Sequence, residues 1–192
     1  MPEKTDKKQA QHVPDRQDSE TYPATTSHDL RANSRIRTVA MADVEVTRCP
    51  HDTLAAYALG ASIAVCMYDP ANGTAGLLHA LLPSSQSDPE KAGRAPATYV
   101  DSGIPLLLDH MFELGTQPGR IVARLVGAVR HADGTQIYST GQKNHTVARK
   151  ILWKNDILID GEAVGGAQVR TAFLYAATGQ CGVRTEHSEI LI

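Results

Sequence analysis

Ser62 and His79 are of types that could do chemistry if the chain brings them together. Ser62 sits in the small-residue stretch Gly60-Ala61-Ser62-Ile63-Ala64, and His79 in Gly76-Leu77-Leu78-His79-Ala80-Leu81-Leu82-Pro83. Between them, the turn cluster Asp69-Pro70-Ala71-Asn72-Gly73 separates two strand-like runs, Ser62–Tyr68 and Thr74–Leu82, which predicts a β-hairpin. Pairing of the two runs would set His79 beside the start of the first, bringing a hydroxyl to an imidazole. Such a pair is suited to nucleophilic attack on an acyl carbon. Two other readings stand beside this one. Residues 60–64 approach the nucleophile elbow of α/β-hydrolases, but that motif needs a helix after the serine and Ile63–Tyr68 reads as strand. A histidine among Leu77, Leu78, Leu81 and Leu82 is also what a packed core position looks like.

Other chemistries find less support. The eight histidines are scattered, no pair has metal-motif spacing on one helix face, and no cofactor or metal is expected. Three cysteines, Cys49, Cys66 and Cys181, form no CxxC and suit a reducing, cytoplasmic setting. A formal charge of −2, two Phe and one Trp give no basis for nucleic-acid binding or an anionic membrane surface. Apolar runs fall short of the ~20 residues of a membrane span, and the N-terminus lacks the apolar core of a signal peptide.

The elements that must position Ser62 and His79 follow from patterning. The 192 residues are 42% hydrophobic and 21% charged, enough for one domain with a sizeable core. Residues 1–36 carry only Val13, Tyr22 and Leu30 as sizeable apolar groups and are expected to be a disordered tail, with the folded domain over 37–192. Val39 to Val46 reads as a first strand and Thr53–Leu59 as the next. A polar loop over 84–97 leads to a helix from about Val100 to Leu114, with Ile104, Leu107, Leu108, Met111 and Phe112 on one face. Pro105 is expected in its first turn and Gly115 at its C-terminal cap. Arg120–Arg130 reads as strand, and a second helix is expected from Asn144, as N-cap, to Asn155. Ile157–Ile159, Gln168–Tyr175 and Gln180–Arg184 close the domain. Strands and two main helices that do not strictly alternate predict an α+β fold of mixed and antiparallel sheets.

The segment Leu59-Gly60-Ala61-Ser62-Ile63-Ala64-Val65-Cys66-Met67-Tyr68-Asp69, followed by His79, resembles the active-site segment of the CheD family, the chemoreceptor glutamine deamidases of bacterial chemotaxis. That family's pattern runs T-x-G-L-G-S-C-V-A-V-C-x-x-D, then a glycine and a histidine before Leu-Pro. Further matches are Val39–Asp43, Tyr99-Val100-Asp101, Leu125-Val126-Gly127-Ala128, Gly141-Gln142-Lys143-Asn144, Gly165–Arg170 and Thr178-Gly179. The resemblance implies hydrolysis of receptor glutamine side chains to glutamate and ammonia. It implies the cytoplasmic domains of methyl-accepting chemoreceptors and a CheC-type phosphatase as partners.

By the same resemblance, Ser62 stands at the catalytic cysteine, Ala56 at the catalytic threonine and His79 at the histidine. Thiol and histidine orienter are thus both replaced, which sets a rival reading: a CheD-like binding protein without turnover. Cys66 is expected to be a buried structural cysteine rather than a substitute thiol. Asp101, Thr74 and Tyr99 are the candidates to orient His79 in place of the threonine.

Overall fold

The computed structural model describes residues 26–32, 34–130 and 140–192. The chain runs α1 (Ser27–Ala32), β1 (Arg35–Thr38), β2 (Asp43–Thr47), β3 (Asp52–Leu59), β4 (Ile63–Asp69) and β5 (Thr74–Ala80). It continues through α2 (Pro89–Arg94), α3 (Val100–Glu113), β6 (Val122–Gly127), α4 (Thr140–Lys154), β7 (Leu158–Val164), β8 (Arg170–Tyr175), β9 (Cys181–Arg184) and β10 (Glu189–Leu191). The strands form two mixed sheets, ordered β1-β3-β8-β9-β10 and β2-β5-β4-β6-β7. Pairing is antiparallel except between β1 and β3 and between β6 and β7. The expected α+β class is what the chain adopts.

Strand alternation explains the layering. Ile63, Val65 and Met67 of β4, with Leu78 and Ala80 of β5, face α3 and α4. Ala64 and Cys66, with Ala75 and Leu77, face the other sheet, meeting Leu54, Ala56, Ala172, Leu174 and Val183. Because successive side chains point to opposite faces, a strand buried on both sides must be apolar throughout. On α3, Ile104, Leu107, Leu108 and Met111 recur at helical spacing and form its buried stripe. Each such side chain removed from water contributes about 1.5–3 kcal/mol. The result is a helix–sheet–sheet stack with the β4–β5 hairpin in its middle layer.

Four expectations change. The single strand over Val39–Val46 is divided: β1 pairs with β3 in one sheet, β2 pairs with β5 in the other, and the chain crosses between them at Val39–Ala42. Ala42 turns the chain there with φ +59°. The tail expected over 1–36 lies outside the described residues as far as residue 25, but α1 and β1 follow. Ordered structure therefore starts ahead of residue 37, and Arg31 is tied to Glu189 at 2.9 Å. Pro105 lies in the second turn of α3, not its first, at an exposed position. The loop over 84–97 contains α2, capped by the Asp88 carboxylate on the Lys91 N–H. No helix among the described residues is long and apolar enough to cross a membrane.

Candidate functional site

His79 lies directly across the ladder from Ala64, and Ile63 from Ala80, so Ser62 reaches His79 on the diagonal. Diagonal neighbours in an antiparallel pair are within reach of a long side chain. By the two-residue period, Ser62 shares the face of Ala64 and Cys66, and His79 that of Leu77 and Ala75, the face turned to the opposite sheet. The His79 Nε2 and Ser62 Oγ are 3.0 Å apart. On its other side β5 is fixed by β2, where the Ala42 N–H donates to the His79 carbonyl at 2.9 Å.

The imidazole is 1% exposed. Burial pushes its pKa below the ordinary 6.5, opposed in part by the nearby Val39 carbonyl. The ring is therefore neutral at neutral pH. With Nδ1 protonated, Nε2 is free to accept the Ser62 proton. Yet among the described residues Nδ1 makes no bond of hydrogen-bond geometry, so the Val39 carbonyl acts on the ring without being a formed partner of it.

The turn that carries Ser62 is held by three hydrogen bonds, two from the residues after β6 and one from α4. The Val129 N–H donates to the Gly60 carbonyl and the Ala128 N–H to the Ser62 carbonyl, both at 2.8 Å. Gly127 makes the second contact possible: its φ is +102°, and a Cβ there would stand 2.6 Å from the Ser62 carbonyl oxygen. From α4, the Asn144 Nδ2 donates to the Ala61 carbonyl at 2.9 Å and to the Leu81 carbonyl at 3.0 Å. The expected N-cap role for Asn144 is not what the structure shows, because α4 begins at Thr140 and Asn144 is buried within it. The signal for its real place was its spacing to Ala148 and Leu152, which puts all three on one buried face.

None of the three candidate orienters meets His79. The Asp101 carboxylate is taken by Ser84 and by the Ser85 N–H and hydroxyl. Thr74 stands at the opposite end of β5, and Tyr99 is buried ahead of α3. Ala56 is fully buried between the sheets. Cys66 lies in the same layer with its Sγ 3.8 Å from that of Cys181. The Cys181 contact and burial push the Cys66 thiol well above its usual range, so it is a packed, unreactive group. A strand follows Ser62, so the segment is not a hydrolase elbow.

Gly165 and Gly166 form a turn, closed by Arg170 donating to the Gly165 carbonyl at 2.8 Å. His145 pairs with Glu162 at 2.8 Å; His131 lies outside the described residues. Among the described residues there is no cluster of three or more His, Cys, Asp or Glu able to hold a metal ion. A surface hollow of about 580 Å³ between α4 and β7 is lined by Trp153, Leu158, Lys150 and their neighbours, and includes neither Ser62 nor His79.

Residues 81–185 match the family model described as CheD chemotactic sensory transduction. A protein of Syntrophus aciditrophicus (strain SB) described as "Probable chemoreceptor glutamine deamidase CheD 1" is 40% identical over 147 residues, 77% of this chain and 92% of its own length. A "Probable chemoreceptor glutamine deamidase CheD" of Solibacter usitatus (strain Ellin6076) is 38% identical over 142 residues, 74% of this chain and 84% of its own. Among solved structures, Neisseria meningitidis protein NMB0706 of family DUF152 aligns with a TM-score of 0.43 and 13% identity, over 73% of this chain and 66% of that one.

Proposed function

The chain belongs to the CheD family, and from that premise we propose that it hydrolyses glutamine side chains of chemoreceptors through a Ser62–His79 dyad. The observation that carries the proposal is the 3.0 Å approach of Nε2 to Oγ by a neutral imidazole. In the first step Oγ attacks the amide carbon while its proton passes to Nε2. The tetrahedral intermediate collapses with return of that proton to the departing nitrogen, releasing ammonia and leaving a glutamyl ester on Ser62. Water, deprotonated by the same nitrogen, then cleaves the ester to glutamate and free serine. No cofactor enters the sequence. The setting of this reaction is the cytoplasm, on the receptor's cytoplasmic domain, with a CheC-type phosphatase as a further partner.

A second reading is favoured by a different observation. Among the described residues His79 Nδ1 has no hydrogen-bond partner, and Ala56 supplies no hydroxyl where the resemblance implies a threonine. An imidazole that is not oriented catalyses poorly, and a unit that has lost one member loses most of its rate. On this reading the chain docks on chemoreceptors or on the phosphatase without turnover. One assay separates the two: mass spectrometry of chemoreceptor cytoplasmic fragments after incubation with the protein. Site-specific conversion of glutamine to glutamate that His79→Ala abolishes establishes the dyad. Binding without conversion establishes the docking protein.

A further inference from the structure

We infer that Asn144 is a positioning residue that sets the contact between Ser62 and His79; the inference rests on the dyad reading. Ladder pairing between β4 and β5 ends at Ile63 and Ala80. Beyond that pair the strands part: the Leu81 N–H turns to the Thr98 carbonyl at 2.9 Å, and the chain before Ile63 bends through Ala61 and Ser62. Asn144 fills this fork. Its carboxamide nitrogen has two hydrogens, and it donates to the carbonyl of Ala61, next to Ser62, and to that of Leu81, two residues past His79. The distance between the segments carrying the two reacting side chains is thus fixed by one side chain from a third element.

The chemistry of the position supports a role in the site beyond packing. Asn144 is fully buried on the apolar face of α4, in line with Ala148 and Leu152. Asparagine is a poor interior helix residue, and its Oδ1 is buried without a partner among the described residues, which is itself destabilising. Stability of the helix alone would favour an apolar residue here. What only asparagine supplies at this reach is a two-hydrogen donor: aspartate has none, serine has one, and glutamine is a methylene longer.

The test uses the full chain with Ser62→Cys, whose alkylation by iodoacetamide is followed at residue 62 by peptide mass spectrometry as a function of pH. A thiol against an imidazole ionises below its ordinary range near pH 8.5, and His79→Ala in that background should move the profile up. Asn144→Leu, which keeps the bulk but leaves the Ala61 and Leu81 carbonyls without their donor, should move it up by about one pH unit in protein that circular dichroism shows to be folded. Asn144→Ser, with one donor left, should fall between. A profile that shifts with His79→Ala but not with folded Asn144→Leu or Asn144→Ser overturns the inference and leaves the dyad standing. A profile that ignores His79→Ala overturns both. If neither Asn144 variant folds, the carboxamide holds the fold itself, and the positioning role is overturned.

Discussion

The Ser62 hydroxyl meets the His79 imidazole along a diagonal of the β4–β5 ladder, with Ala64 standing where a direct partner of His79 would be. The diagonal leaves Ser62 just outside the strand, in a bend whose carbonyls are all engaged by neighbours. Its Oγ is thus held at the mouth of the intersheet layer rather than within it. If this contact is the reacting pair, His79→Ala should lower glutamine conversion by about 10²–10⁴-fold. Ser62→Ala should do the same, and the double variant should be no worse than either single one. Additive losses measured in the mass-spectrometric assay would show that the two residues do not act as a unit.

The pairing was legible in the sequence because a five-residue turn cluster between two apolar runs leaves few alternatives to a hairpin. The split of Val39–Val46 was not, since alternation looks the same whether a run stays in one sheet or crosses to another. Asn144 was hidden by a competing rule: an asparagine ahead of an apolar helical pattern is a good N-cap, and the helix simply starts four residues earlier. The short β10 gave no pattern of its own and exists by pairing with β9. Ala56 carries no polar group that could orient His79, and among the described residues Nδ1 has no hydrogen-bond partner.

Restoring the orienter should be measurable. Ala56 is fully buried in the layer that His79 faces. Ala56→Thr in the Ser62→Cys background is expected to raise conversion by about tenfold over Ser62→Cys alone, about 1.4 kcal/mol of barrier. It should do so despite a loss of about 1–3 kcal/mol in stability from the added volume. A lower stability with no gain in rate would mean that residue 56 does not reach the imidazole.

Acid should silence the site. Burial holds the His79 pKa below 6.5, so the base is neutral and competent above that value. Turnover should therefore be flat above pH 6.5 and fall as pH drops through the lowered folded value. The linkage has the same sign: the folded state binds the proton less well than the unfolded one, so stability declines from pH 6.5 downward until the folded pKa is passed. NMR titration of the His79 ring gives the midpoint, and a midpoint above 6.5 would contradict the argument.

Asp52 supplies a second acid-sensitive element, at the start of β3 and across from Arg35 of β1. Burial raises its pKa, but hydrogen bonds from Thr47, Arg35 and Arg37 and the charge of Arg35 outweigh burial and hold it below 3.8. The carboxylate is 1% exposed, with Thr47 Oγ1 at 2.7 Å and Arg35 at 2.8 Å. Asp52→Asn should destabilise by about 2–3 kcal/mol at neutral pH. Because a depressed carboxylate stabilises above its unfolded pKa and loses this as pH falls through the folded one, the gap between the two proteins should close below pH 3.8. Urea denaturation at both pH values would show it; a pH-independent gap would assign the effect to packing.

The last prediction concerns the chain leading into the Ser62 turn. Ala58 interrupts the β3–β8 register at a bulge and holds φ +55°. An L-residue in the left-handed region is strained by about 1–2 kcal/mol, a strain that glycine does not feel. Ala58→Gly also loosens the unfolded chain, by about 0.4–1 kcal/mol, so the net gain should be about 0.5–1 kcal/mol. For a chain of this size that is a rise of about 1–4 °C in melting temperature. Gly127→Ala is the converse: it meets both the positive φ and the 2.6 Å approach to the Ser62 carbonyl, so it should destabilise and displace the turn. Ala58→Gly with a lower melting temperature would mean that the bulge is held by contacts that the alanine methyl itself supplies.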